Sequence, residues 1–308
     1  MTVTAVRLDA ELVRRGLARS RTRAAALVHD GRVTVDGAVA RKSAQSVPDA
    51  AEIVVVDQDD DVSRGARKLS GALAAVAALA PPGLPVGGAR CLDAGASTGG
   101  FTQVLLRGGA AHVLAVDVGH GQLDPLVASD PRVTAVEGVN VRDLDLAALR
   151  ASVAGAPSHL GDPVDLVVAD LSFISLRTVV PALVRATRPG GRLLVLVKPQ
   201  FEVGRERLGR GGVVVSPELR AEAVTVVADA LEDAGVRVLA VVPSGLAGES
   251  GNREYFLWGE RAASPLPTVT PGQSENRAAL VRRAVVGAEP VVLEALDGLA
   301  ADRGGGGT

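Results

Sequence analysis

Leu92-Asp93-Ala94-Gly95-Ala96-Ser97-Thr98-Gly99-Gly100-Phe101 is the stretch on which the reading of the fold turns. Cys91 and Leu92 read as the end of a strand, and a helical pattern follows Phe101. Gly95 and Gly99 let the backbone approach a ligand closely, and the start of the helix offers unbonded N–H groups. The spacing is not that of a dinucleotide loop, and no Gly-Lys-Ser or Gly-Lys-Thr marks a nucleotide phosphate loop. Asp93, just before the turn, suits a cationic or amino-bearing ligand better than a pyrophosphate. Asp117 closes the next strand in Leu114-Ala115-Val116-Asp117, where an acid can accept hydrogen bonds from ribose hydroxyls. An amino group, a positive sulfur and an adenosine together describe S-adenosylmethionine. The alternative is a purely structural glycine turn in another α/β fold. Ser97, Thr98 and Phe101 belong to the same expected cofactor set. Asn140 follows a third short strand and either faces the adenine or sits in a plain loop.

Outward from this turn, strand and helix patterns alternate. Cys91-Leu92, Val113 to Val116, Leu166 to Ala169, Leu193 to Val197, Val236 to Val242 and Tyr255 to Trp258 are the expected strands. Helical stretches lie between most of them, which predicts a mostly parallel, doubly wound Rossmann-like α/β sheet covered on both faces. The last strand follows its predecessor closely and is expected to run antiparallel.

Upstream, residues 6–56 read as a separate, small α+β unit. Leu8, Leu12, Val13 and Leu17 follow helical spacing up to Gly16, and Ser20 is a good N-cap for a second helix over Arg21 to His29. Arg32 to Val35, an Asp36-Gly37 turn, Val39 and Ile53 to Val56 read as strands. Residues 1–48 carry nine Arg and Lys against four Asp and Glu, although the whole chain has a net charge of −2. A basic first segment on a near-neutral chain is an electrostatic handle for a polyanion.

Composition narrows the class further. Cys91 is the single cysteine, which excludes an intramolecular disulfide framework and fits a reducing cytoplasm. No charged segment followed by an apolar run opens the chain, so no signal peptide is expected. The most apolar stretch, Gly71 to Val86, is interrupted by Pro81, Pro82 and Pro85 and is too short to span a bilayer. With only 2% aromatic residues, Ala, Val and Leu must fill the core. Of 33 basic residues only Lys42, Lys68 and Lys198 are lysines. Arginine keeps its charge at any ordinary pH, whereas a lysine in a suitable site can accept a proton.

Ordered blocks along residues 6–259 resemble the hemolysin-A-like (TlyA) ribosomal RNA 2′-O-methyltransferases, relatives of the heat-shock RrmJ-type RNA methyltransferases. Arg7-Leu8-Asp9-Ala10-Glu11-Leu12-Val13 with Gly16-Leu17-Ala18-Arg19-Ser20-Arg21 is similar to the opening of an S4 RNA-binding domain. The further blocks are Val62 to Leu69, Asp93 to Phe101, Asp117 to Leu123, Ala169 to Leu176, Leu196 to Glu202 and Gly251 to Leu257. The resemblance implies an S4-like domain over 1–57, a linker over 58–67, a methyltransferase domain over 68–260 and a partly helical extension over 261–308. Within the extension a helix is expected from Asn276 and disorder from Arg303. It also implies a Lys-Asp-Lys-Glu catalytic tetrad at Lys68, Asp170, Lys198 and Glu254, with Asp170 touching the cofactor as well. Two of the three lysines then fall in the tetrad, and Lys42 falls where the family's S4 domains face RNA. Arg7, Arg19 and Arg21 join Lys42 as expected RNA contacts. Arg14, Arg15 and Arg23 are weaker candidates.

Methyl transfer to a 2′-hydroxyl is an in-line displacement from an activated donor, so the protein must place the oxygen and deal with its proton. Lys198 is expected to take that proton or to stabilise the emerging alkoxide. Asp170 orients Lys198, while Lys68 and Glu254 position the ribose; no metal is needed. The implied substrate is a cytidine of 16S or 23S ribosomal RNA within ribosomal subunits, acted on by a cytoplasmic protein, with a monomer as the expected state. Three other classes remain open: a non-catalytic ribosome-binding protein, a membrane-lytic protein suggested by the family's older name, and a methyltransferase acting on protein or a small molecule, which the basic first segment disfavours. His29, His112, His120 and His159 show no ligand spacing, and Ser97 and Ser172 lack a nucleophile-elbow context.

Overall fold

A computed structural model describes residues 5–18, 20–29, 31–55, 61–248, 250–267 and 270–294. The chain forms two compact units, Met1–Arg64 and Gly65–Thr308. Arg19, most of the acidic stretch around 58–61 and the end of the chain from 295 lie outside the described residues.

In the first unit, β1 (Ala5–Arg7) leads directly into α1 (Leu8–Arg14), and α2 (Arg21–His29) follows. The Ser20 Oγ accepts the Arg23 N–H at 3.1 Å, which is the expected cap. Then come β2 (Val33–Val35), β3 (Ala38–Val39), β4 (Ser46–Pro48) and β5 (Ile53–Val55). β2 pairs antiparallel with both β3 and β5. Two elements were not foreseen: β1 and β4, which pair with each other over three residues each. Leu8, Leu12, Leu27, Val28 and Val33 form the buried core. Ion pairs lock its first helix: Glu11, fully buried, accepts from Arg14 and Arg15 and is held at about 2 by those guanidinium groups.

The second unit opens with α3 (Arg64–Leu79). The helix starts four residues earlier than the Lys68 expected from sequence, so residues 64–67 are helix and not linker. The main sheet then alternates with helices: β6 (Arg90–Ala94), α4 (Gly100–Arg107), β7 (His112–Asp117), α5 (Pro125–Ala128), β8 (Val133–Glu137) and α6 (Leu146–Ser152). β9 (Val164–Ala169), α7 (Leu176–Ala186), β10 (Thr187–Val197), α8 (Pro217–Asp233), β11 (Val236–Pro243), β12 (Tyr255–Arg261), α9 (Pro271–Gly287) and β13 (Val291–Val292) complete it. The spatial order is β13-β11-β12-β10-β9-β6-β7-β8. β10, β9, β6, β7 and β8 run parallel, and β12 lies antiparallel between β10 and β11. The doubly wound expectation therefore holds, including the reversed strand at Tyr255–Trp258, which is β12.

The central strands are apolar throughout because helices cover both of their faces. Val167, Val168, Leu193, Leu194 and Val195 are at most 1% exposed, and burying each such side chain contributes roughly 1.5–3 kcal/mol. Cys91 lies in this core, and burial pushes its thiol up to about 12, which keeps it unreactive. The extension after 261 is not an appendage. A Thr270–Gln273 capping box with Pro271 at the first turn starts α9, five residues before Asn276. Val281, Ala284 and Val285 of α9 are fully buried in the main core, and β13 adds a strand against β11.

The chain order reverses at β6, whose neighbours are β7 on one side and β9 on the other. At such a switch point the two connecting helices leave on opposite faces, and a crevice opens beyond the carboxyl ends of the strands. Asp93, Asp117, Asp170 and Lys198 all sit at or just past those strand ends, and Glu254 lies just before the antiparallel β12 at the same edge.

Candidate active site

The glycine-rich turn is held by its neighbours. Gly95 has φ 87°, and a Cβ there would stand 2.6 Å from the Asp170 carbonyl oxygen. A side chain at Gly95 would therefore force apart the two loops that must meet. Gly99, at φ 90°, begins α4, and Leu123 and Val127 pack where its side chain would be. Ser97 is also left-handed at φ 46°; its N–H donates to Asp117 Oδ2 at 2.8 Å, and its hydroxyl donates to Gln122 at 3.2 Å. Asp117 Oδ1 accepts the Gly119 N–H at 2.7 Å. Asp117 thus ties the turn to the end of β7, and each oxygen keeps a further lone pair for a ribose hydroxyl. Thr98 is half-buried, with its carbonyl accepting the Asp124 N–H at 3.2 Å.

Two residues of the expected cofactor set are turned into the protein. Asp93 is 0% exposed. Its Oδ2 accepts from the Thr102 hydroxyl at 2.6 Å, and Oδ1 has no protein partner. Burial lifts its carboxyl to about 7, against the pull of Thr102 and helped by the charges of Asp170 and Asp117. Asp93 lies beneath the turn as a buried acid with one oxygen unpartnered. The Phe101 ring is also turned into the core, stacked 6.1 Å from Phe256, which leaves only its backbone for a ligand. Asn140 is exposed and uses Oδ1 to accept the Arg142 N–H at 3.0 Å, which is a turn cap.

The raised Asp93 carboxyl carries a sign. Its folded value lies above the unfolded 3.8, so between about pH 4 and 7 the folded protein holds a proton that the unfolded chain has released. Stability from this group is full below pH 4, falls as pH rises through that window and is flat beyond it. Thermal unfolding of wild type and Asp93→Asn across pH 5–8 is expected to show the wild type gaining on the variant as pH drops. A pH-independent difference would mean that Asp93 titrates normally.

The four residues of the expected tetrad form two ion pairs, Lys198–Asp170 and Lys68–Glu254. Val197 of β10 is in register with Tyr255 of β12, so Lys198 and Glu254 occupy the next positions along. Val195 pairs with Ala169 of β9, which sets Asp170 beside the same edge. Lys198 Nζ lies 2.7 Å from Asp170 Oδ1. That contact is one of charge, because the directed hydrogen bond from Nζ goes to Ser172 Oγ, also at 2.7 Å. Lys68 reaches in from α3, and its Nζ donates to Glu254 Oε2 at 2.6 Å with both side chains buried. Gly248 covers Glu254 so closely that a Cβ would stand 2.5 Å from Oε1.

Three participants went unread in the sequence. Ser172 bonds the amine of Lys198. Phe173 is 92% exposed, with φ 66°, and its ring lies 5.4 Å from Phe201. A scarce aromatic between Asp170 and a helix start was the available signal. Glu202 is buried and accepts from the Ser175 hydroxyl at 2.6 Å and the Leu176 N–H at 2.7 Å, capping α7 from outside. It laces the loop after β9 to the loop after β10, and so fixes Asp170 and Ser172 relative to Lys198.

The profile of the FtsJ-like methyltransferase family matches residues 62–261, and that of the S4 domain matches residues 6–53. The chain belongs to the FtsJ-like methyltransferase family. The methyltransferase is 52% identical to the 16S/23S rRNA (cytidine-2′-O)-methyltransferase TlyA of Mycobacterium tuberculosis over 82% of this chain and 88% of that one. It is 32% identical to Hemolysin A of Brachyspira hyodysenteriae over 82% of this chain and 98% of that one. A solved structure described as "Putative hemolysin from Streptococcus thermophilus" superposes with a TM-score of 0.66 at 31% identity, covering 93% of this chain and 96% of that one.

In the S4 unit of the methyltransferase, the expected RNA contacts divide. Arg7 and Arg21 both bond Asp9, at 2.8 and 3.0 Å, yet keep more than half of each side chain exposed. Lys42 is exposed and forms no ion pair among the described residues. Arg19 lies outside them. Arg14 and Arg15 serve the fold through Glu11, Asp49 and Ala51, and Arg23 donates to the Val62 carbonyl.

Proposed function

We propose that this chain transfers a methyl group from S-adenosylmethionine to the ribose 2′-hydroxyl of a cytidine in 16S or 23S ribosomal RNA. The observation that carries the reading is Lys198, held between Asp170 and Ser172 beside the Lys68–Glu254 pair at the crevice edge. The activity of the Mycobacterium tuberculosis relative supports the same reaction and the same base. The residues present fit the cofactor: a tight turn at Gly95 to Gly99, the N-terminus of α4, Asp117 at the ribose position and the orphaned Asp93 oxygen beneath. S-adenosylmethionine, when bound, supplies a methyl group activated by a positive sulfur.

The protein supplies position and a proton acceptor. Lys198, with a free lone pair on Nζ, would take the 2′-hydroxyl proton as that oxygen accepts the methyl group. Asp170 holds Nζ toward the nucleophile, and Ser172 fixes its second direction. Lys68 and Glu254, buried together, present a fixed donor and acceptor to the ribose. The target nucleotide must leave its stack to expose the hydroxyl. Phe173, bare and held in a strained conformation next to Asp170, offers a face on which the displaced base can stack. In the S4 unit, Lys42, Arg7, Arg21 and Arg19 grip phosphates. This reading makes the chain a cytoplasmic partner of ribosomal subunits, acting as a monomer.

The test is methyl transfer from labelled S-adenosylmethionine to ribosomal RNA prepared from cells lacking the gene, with the product mapped by mass spectrometry. The expected product is a 2′-O-methylcytidine. Label on a base or on protein, or RNA binding without any transfer, would overturn the reading.

A further inference from the structure

The segment after the Lys198 strand end is a built loop whose cations the tetrad does not use. It runs from Gly204 to Ser216 and returns to α8. Arg207 is spent in a bidentate pair with Glu222 of α8, at 2.5 Å for both contacts. The tip is closed on itself, with the Gly209 N–H donating to the Val213 carbonyl at 3.0 Å and the Gly212 N–H to the Gly209 carbonyl at 3.1 Å. Gly211 and Gly212 make this bend with φ of 74° and 76°. The return is bolted down twice. Asn252, 2% exposed, accepts the Val214 N–H at 2.9 Å and donates to the Gly212 carbonyl at 3.0 Å. Arg220 donates to the carbonyls of Val214 and Val215 at 3.2 and 2.9 Å.

Two consequences follow from these anchors. The loop begins beyond Lys198 and is fastened to a residue two before Glu254, so it lies at the same sheet edge as the tetrad. Its closed tip presents Arg210 outward, and Arg205 is exposed at its start; neither forms an ion pair among the described residues. Arg253, exposed between Asn252 and Glu254, adds a third cation at this edge.

We propose that Arg205 and Arg210, with Arg253 beside them, form a phosphate-gripping surface on the catalytic unit for the RNA strand that carries the target nucleotide. Guanidinium forks match phosphate oxygens, and a pre-closed loop loses little freedom when it binds. Phosphate contacts on both sides of a displaced nucleotide would hold the strand in register while the sugar sits at Lys198. The inference rests on the RNA methyltransferase reading above.

The test uses the full chain with Arg205→Gln/Arg210→Gln, unmodified ribosomal RNA and a salt series. The RNA KM is expected to rise several-fold. The slope of log affinity against log salt should shrink by about 0.7–0.9 for each lost contact. Cofactor affinity and kcat at saturating RNA should stay at wild-type levels. Arg205→Lys/Arg210→Lys should recover most of the affinity. Asn252→Ala, which frees the loop but removes no charge, should weaken RNA binding with the salt slope kept. An unchanged salt slope and KM in the double glutamine variant would overturn the inference. So would a fall in kcat at unchanged KM. Normal action on naked RNA with a loss only on intact subunits would assign the surface to a ribosomal protein instead, and also overturn it. If the wild type itself transfers no methyl to RNA, the underlying reading fails; if it does and the variant matches it, only this inference fails.

Discussion

Replacing Lys198 with arginine is expected to lower kcat by about two to four orders of magnitude, the range of a lost general base. Arginine keeps a positive charge near Asp170 but cannot accept a proton. Its planar fork also cannot reproduce an amine that sits 2.7 Å from both Asp170 Oδ1 and Ser172 Oγ. Lys198→Ala should be at least as slow, while both variants keep cofactor affinity within a few-fold. Single-turnover rates at saturating cofactor and RNA provide the measurement. A Lys198→Arg rate within tenfold of wild type would remove the proton-acceptor role and leave only electrostatic support of the alkoxide.

The Lys68–Glu254 pair should show its largest effect in stability. Both side chains are nearly inaccessible, at 9% and 2% exposure, and their charges meet at 2.6 Å. Glu254→Gln leaves a buried ammonium without its counter-charge, which typically costs about 3–5 kcal/mol. That is a large share of the roughly 5–15 kcal/mol that holds a folded domain together. Removing both charges in Lys68→Met/Glu254→Leu should recover most of the loss, since an apolar pair of similar volume is often neutral or stabilising. Activity should not return with it, because the ribose then lacks its fixed donor and acceptor. Denaturant unfolding paired with methyl-transfer rates on the wild type and the two variants separates the two roles. A stable and active double variant would make the pair purely structural.

The glycine-rich turn was legible because its chemistry is local, whereas the four tetrad positions came from the family resemblance. A glycine turn between strand and helix, an acid closing the next strand and the rarity of lysine can all be seen without coordinates. The small elements were not. β1 and β4 are three-residue strands whose only reason to extend is each other. β10 begins at Thr187 and runs through Pro189-Gly190-Gly191, which reads as a turn; its partner β9 takes it up through a register shift between Thr187 and Arg192. The early start of α3 and the seating of α9 likewise depend on surfaces that other segments provide.

Sequence alone determined the alternation of elements and the glycine-rich turn between strand and helix, and the resemblance pointed to the groups proposed to carry the reaction. These follow from side-chain chemistry and from period, which a chain has before it folds. Only tertiary structure decided which charges are free to act. It sank Asp93 beneath the turn, spent Arg14 and Arg15 on Glu11, gave Lys198 a serine and set Glu202 under the start of α7. Hydrogen bonds and desolvation depend on distances of a few ångströms, and residues as far apart as Lys68 and Glu254, separated by 186 positions, acquire such distances only when the sheet closes between them.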